Sequence, residues 1–286
     1  MSQSKQSKID RENARIAALT LRDDAKRREK RNRGFAIGGL AVAAIVLVAS
    51  VVLILGQESK PIAFKGDVIP SLSEVQAPTT ANDAGGIPVG TDLAAGSSGG
   101  DSPVVVEVVF DYQCPHCANF ENVNAFEINT LLQTGNVEFV FRPVAFMDYA
   151  SNGREFSTRA ANAAATVADL APDKFLQFHN GLFANQPTGN GLKDSEIADI
   201  ALEVGVPKDV VDEFTRTVEG SDERIYSRWI AAATQHTNNE LGGLATPTVL
   251  LNGEKFPGPD QNSGLIFQTG GLASAVLAKK VELGLD

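Results

Sequence analysis

The sequence predicts a mixed α/β fold, split by an inserted α-helical domain and preceded by one transmembrane helix. Three observations lead there. β-branched apolar runs alternate with helix-length patterns around residues 103–145 and again over 244–286. Between them, residues 146–243 carry helical patterns and no strand pattern. Far upstream, residues 35–55 form 21 consecutive uncharged residues, FAIGGLAVAAIVLVASVVLIL.

The N-terminal third comes first. Residues 1–33 hold 11 of the 25 Lys+Arg and 5 of the 35 Asp+Glu, so +6 there stands against −16 in the rest of the chain. The acidic bulk argues against a nucleic-acid partner. The apolar run, within a span of 34–56, makes a helix of roughly 30 Å, one hydrocarbon core. Its rival is a cleaved signal peptide, but that apolar region is normally about 7–15 residues after a short basic stretch. Here 33 residues precede a longer run, so an uncleaved anchor is expected. KRREKRNR at 26–33 abuts it and places the N-terminus in the cytoplasm and the remaining chain outside. Residues 57–102 mix Pro, Gly, Ser, Ala and Thr and read as a flexible linker, with 87–89 a short edge strand against 104–110.

The folded part reads in order. Val104–Phe110 is apolar apart from Glu107, as a strand covered on both faces should be. A helix follows over 114–133, opened by Pro115, with Phe120, Val123, Ile128, Leu131 and Leu132 available for packing. Gly135-Asn136 ends it and 137–144 is the next strand. Helices are expected at 153–170, 173–184, 194–203, 208–219 and 222–239. Trp229 and the phenylalanines at 175, 178 and 183 read as helical-domain core, His179 as a packing or helix-surface residue, and Arg142 as solvated at a strand end. Strands at 247–251 and 254–256 flank the hairpin signal Asn252-Gly253, and a helix over 265–283 closes the chain. Residues 103–145 and 244–286 thus form one domain, with 146–243 inserted.

The chemistry concentrates at Cys114-Pro-His-Cys117, which holds both of the chain's cysteines. A strand feeding a helix whose first turn carries C-x-x-C reads as a redox dithiol. That turn leaves backbone N–H groups unpaired and, with the helix dipole, favours an anion. A Cys114 thiolate is such an anion, and His116 can add charge or a donor. Cysteine pKa values in such settings fall to roughly 3.5–7.5, and stabilising the reduced form makes the disulfide oxidising. Structural zinc needs four ligands, and this motif supplies three at most. A structural disulfide across two residues restrains the unfolded chain little. No metal or organic cofactor is indicated.

Beyond the tetrapeptide, FDYQCPHCANFE, VEFVFRPV, KFLQFHNGLFANQP and GLATPTVLLNG, in that order, resemble the DsbA-like thiol-disulfide oxidoreductases of the thioredoxin superfamily, over about residues 85–286. The resemblance implies a thioredoxin-like fold with its helical insertion. It makes Cys114 the attacking cysteine, Pro115 and His116 the intervening dipeptide that tunes it, and Cys117 the resolving cysteine. It also makes Thr246-Pro247 the loop whose cis proline faces the sulfurs and receives substrate. Two positions depart from the family: Ala245 replaces a common glycine, and Val108 stands where many members carry a buried acid. Nearby Glu107 would point to the other sheet face and is expected to be solvated.

The expected activity is that of a membrane-anchored extracytoplasmic oxidoreductase that introduces disulfides into secreted or envelope proteins. Its partners would be those cysteine-containing proteins and a membrane reoxidant of the DsbB or vitamin-K-epoxide-reductase-like type. The alternatives are a reductase or isomerase of the same fold, or an anchored chaperone or binding module.

Overall fold

Strands β1 (Ile87–Val89), β2 (Val104–Phe110), β3 (Val137–Pro143), β4 (Thr248–Leu251) and β5 (Glu254–Phe256) form a single sheet in the order β1-β3-β2-β4-β5. A computed structural model describes residue 64, residues 66–258 and residues 262–285. The basic segment 1–33 and the apolar span 34–56 lie outside these residues. Among the described residues no helix is long and apolar enough to cross a membrane.

β2 and β3 pair in parallel, Val106 opposite Phe139 and Val108 opposite Phe141. Joining parallel neighbours requires a crossover, which helix α1 (Pro115–Gln133) supplies. β4 runs antiparallel to β2 and β5 antiparallel to β4. Val104, Val106, Val108, Val109 and Phe110 are all buried, and Val105 and Glu107 are half-buried. The strand expected to be covered on both faces therefore does sit in the sheet centre.

The helical block between β3 and β4 consists of α2 (Phe156–Leu170), α3 (Phe175–Ala184), α4 (Asp194–Glu203), α5 (Lys208–Asp212) and α6 (Ser227–Leu241). α2 is its axis. Residues 156–168 are all buried, and its run of alanines lets neighbours approach from every side. Trp229, Phe175, Phe178 and Phe183 join the core. Phe141 meets Phe175 edge-on at 5.7 Å, and Phe110 meets Phe183 at 5.8 Å, so sheet and helices share one interior. Accordingly, the described residues cluster as one compact unit.

Several expected boundaries move. The helix expected at 208–219 stops at Asp212, because the chain turns back on itself, with Thr217 bridging Arg224 and Val218 N–H donating to Glu223 O at 2.9 Å. The next helix consequently begins at Ser227 rather than 222. The closing helix, α7 (Gly271–Leu283), is preceded by a separate turn, Ser263–Phe267. A Cβ on Gly271 would lie 2.1 Å from Leu265 O, so glycine permits that break.

The stretch with linker composition is packed where it is described. β1 joins the sheet through β3, antiparallel, with Ile87 opposite Phe141, and not through β2 as expected. Ile87, Val89 and Ala95 are buried. Thr79 fastens to Asp169 through its N–H (2.8 Å) and hydroxyl (2.6 Å). At Gly99 an added Cβ would stand 2.3 Å from Val137 O. This glycine permits close backbone approach rather than flexibility.

Candidate active site

The end of β2 leads through Asp111, Tyr112 and Gln113 to Cys114, which occupies the N-cap of α1 in extended conformation (φ −77°, ψ 117°) with Pro115 as the first helical residue. The loop is held from several directions. Cys114 N–H donates to Asp111 O (2.9 Å), and the Gln186 amide donates to Tyr112 O (2.8 Å) and Cys114 O (2.9 Å). The Gln113 amide donates to Gly189 O at 2.8 Å. Asp111 is fully buried and accepts from Gln113 N (2.8 Å), the Ser157 hydroxyl (2.6 Å) and Met147 N (3.0 Å). The helical insertion thereby clamps the loop that carries the nucleophile.

Both cysteines are free thiols and both are buried. Their environments oppose each other. Donation from the Cys117 thiol, helped by the Thr246 hydroxyl and the backbone N–H groups of Cys117 and His116, outweighs burial and lowers the Cys114 pKa to about 5. Burial, reinforced by Cys114, pushes Cys117 well above the ordinary thiol value. Cys114 Sγ lies 3.5 Å from Thr246 O, and the Thr246-Pro247 peptide bond is cis, as the resemblance implies. The Thr246 hydroxyl is buried with no hydrogen-bond partner, so it is free to donate to a thiolate once one forms.

Cys114, Pro115, His116, Cys117, Thr246 and Pro247 therefore stand together, although Thr246 is 132 positions from Cys114. His116 contributes its backbone N–H to the thiolate, while its exposed ring lies 6.3 Å from the Phe267 ring. His116, Thr246, Pro247, Val249, Phe256 and Phe267 border a groove of about 400 Å³ beside the nucleophile. Among the described residues no cluster of three or more His, Cys, Asp or Glu side chains is placed to hold a metal ion.

Two expectations about charged residues are corrected. Arg142 is not solvated: only 1% of its side chain is exposed, and it pairs with Glu107 at 3.0 Å and with Glu240, and donates to the Thr237 hydroxyl at 3.2 Å. Glu107 is correspondingly engaged rather than free in solvent. Below the dithiol lies a group that sequence reasoning missed. The Tyr112 hydroxyl meets His179 Nδ1 at 3.0 Å, and His179 Nε2 meets Glu121 Oε1 at 3.1 Å, all three being buried. Burial and the neighbouring Glu121 push the Tyr112 hydroxyl well above its usual pKa. Glu121 follows Cys117 by four residues, on the same helix face. That spacing was the one available signal for it.

A thiolate-favouring cysteine at a helix N-cap, a buried partner thiol and a facing cis-proline loop define the class: a protein thiol-disulfide oxidoreductase of thioredoxin-like fold. The sequence profile described as thioredoxin matches residues 89–266, well over half of the chain. The chain belongs to the thioredoxin family.

Solved structures agree. MdbA, a thiol-disulfide oxidoreductase from Actinomyces oris, is 25% identical, with 73% of this chain and 96% of that one covered, at a TM-score of 0.56. The reduced disulfide bond oxidoreductase DsbG from Mycobacterium tuberculosis is 25% identical over 69% of this chain and 88% of that one, at 0.51. Reduced DsbA from the same organism is 25% identical over 68% and 98%, at 0.50. Among curated proteins, serine/threonine-protein kinase PknE from M. tuberculosis is 28% identical over 110 residues, 36% of this chain. The match spans about a fifth (19%) of the length of the curated relatives found.

Proposed function

We propose that the chain is a membrane-anchored thiol oxidase working outside the cytoplasm, which introduces disulfides into cysteine-containing secreted or envelope proteins. The observation that carries this is the opposed pair of thiols: Cys114 is lowered to about 5 and Cys117 is raised. Stabilising one thiolate of the reduced form makes the disulfide form the stronger oxidant.

In the oxidised enzyme a substrate thiolate attacks Cys114 Sγ. A substrate–Cys114 disulfide forms, the Cys114–Cys117 bond breaks, and Cys117 leaves as a thiolate and takes a proton. A second substrate thiolate then attacks the substrate sulfur of the mixed disulfide and expels Cys114 as its stabilised thiolate. The substrate has lost two electrons and the enzyme has gained them. A membrane reoxidant of the DsbB or vitamin-K-epoxide-reductase-like type removes those electrons. Thr246 and Pro247, bordering the groove beside Cys114, receive the extended substrate segment.

The anchor and the compartment rest on the uncharged run at 35–55 and the basic stretch before it. An envelope setting is one in which new disulfides persist. The reading is tested by the equilibrium potential of the Cys114–Cys117 couple in the full chain, in detergent, against glutathione. A potential well above the glutathione poise is expected. A value near about −270 mV, that of thioredoxin, would make the protein a reductase instead.

A further inference from the structure

We infer that the groove beside Cys114 selects substrate segments carrying an acidic side chain about two to four positions from the reacting cysteine, with Lys255 as its partner. The inference rests on the proposed function and specifies its substrate. One end of the groove is the nucleophile, through Thr246 and His116. The other is β5, the edge strand of the sheet, where Lys255 lines the wall beside Phe256.

The charge of this groove runs against that of the molecule. The chain carries a formal −10, yet among the described residues no Asp or Glu lines the groove, whereas Lys255 and His116 do. Lys255 is exposed and has no ion-pair partner among the described residues. By contrast, Lys279 holds Glu282 at 3.0 Å. The walls otherwise mix apolar side chains (Val249, Phe256, Phe267) with the uncharged hydroxyl residues Thr248 and Ser263, and suit alternate side chains of an extended peptide. The unpaired cation is then the feature that discriminates among such peptides.

The register fixes the spacing. Lys255 lies opposite Leu250, four residues beyond Thr246, which is at most ~13 Å at about 3.3 Å per residue. Lys255 borders the groove at that distance, so the acidic group it meets belongs about two to four positions from the cysteine bonded to Cys114.

The test uses the oxidised full chain in detergent and short peptides with one central cysteine and Glu, Gln or Lys three positions to either side. Mixed disulfide at Cys114 is timed by acid quench and mass spectrometry. At low salt the best Glu peptide should react about two- to five-fold faster than its Gln counterpart, the range of an exposed ion pair, and the Lys peptide more slowly. High salt should narrow the difference. Lys255→Gln should flatten the order and Lys255→Glu reverse it, with Cys114 thiolate titration confirming an intact site in each variant. Comparing the same peptides across variants cancels the effect of each neighbour on the peptide's own thiol. Exchange that proceeds without charge preference, or with a preference that survives in Lys255→Glu, overturns the inference. No exchange with any peptide overturns the proposed function beneath it.

Discussion

Thr246→Val isolates the part of the thiolate's stabilisation that comes from across the groove. The Thr246 hydroxyl is buried without a partner in the dithiol state, yet it lowers the pKa of Cys114. Removing it therefore breaks no hydrogen bond of the protonated protein and withdraws a donor only from the thiolate. A hydrogen bond to a charged group is worth about 1.5–3 kcal/mol. At about 1.36 kcal/mol per pKa unit, that is roughly one to two units. Cys114 should rise from about 5 to roughly 6–7.

The sign follows from linkage. A Cys114 pKa held below its unfolded value stabilises the reduced form fully above the unfolded pKa. That stabilisation is lost as pH falls through the folded one. In the variant the loss should begin at a higher pH, and at pH 7 the couple should become about 30–50 mV more reducing, at about 30 mV per tenfold step. The assay is alkylation of the reduced protein from pH 3 to 9, with thiolate absorbance in parallel and urea unfolding as the control for folding. An inflection that stays near 5 in the variant would refute the assignment of the hydroxyl to the thiolate.

Two further outcomes follow from the buried polar groups. Burial pushes the Asp111 carboxyl up from its ordinary value of 3.8 to about 7, so its favourable contribution is full below 3.8 and is lost as pH rises through about 7. Urea titrations of the oxidised protein between pH 4 and 7 should show that decline, at up to about 1.4 kcal/mol per pH unit. Asp111→Asn should flatten it, and an unchanged slope would assign the decline elsewhere. His179→Phe should cost about 3 kcal/mol, because it leaves Tyr112 and Glu121 buried without their partner. Adding Glu121→Gln should recover part of that in the urea midpoint, whereas strictly additive losses would count against the Tyr112–His179–Glu121 chain.

What the sequence disclosed divides by range. The N-cap cysteine, Pro115 at the helix start and the strand that feeds them lie within one short stretch, where local pattern is sufficient. Glu107 and Arg142 were misread because each is a charged residue in a strand, and pattern alone assigns such a residue to solvent. β2 and β3 set Val109 opposite Arg142 and Glu107 opposite Val140. The two charges are thus diagonal neighbours, close enough to pair, which only the register reveals. Asp111 and His179 failed to register for the same reason, since their partners come from the helical block or from it into the sheet domain. Residues 77–99 misled in the opposite direction: glycine and serine there serve close approach, and a composition rule cannot distinguish that from freedom.

The same division runs through the site itself. Helix-end amides next to Cys114 would lower its pKa in any protein with this tetrapeptide. The Thr246 hydroxyl and the clamp on residues 111–114 exist only because the insertion and β4 close over the loop. Substitutions at Pro115 and His116 should therefore act locally on the thiolate, whereas Asp111, Gln186 and Thr246 set how the helical block and the sheet domain hold it. The pKa of Cys114 is accordingly set first by Cys117 within the same motif and then by Thr246 from across the groove.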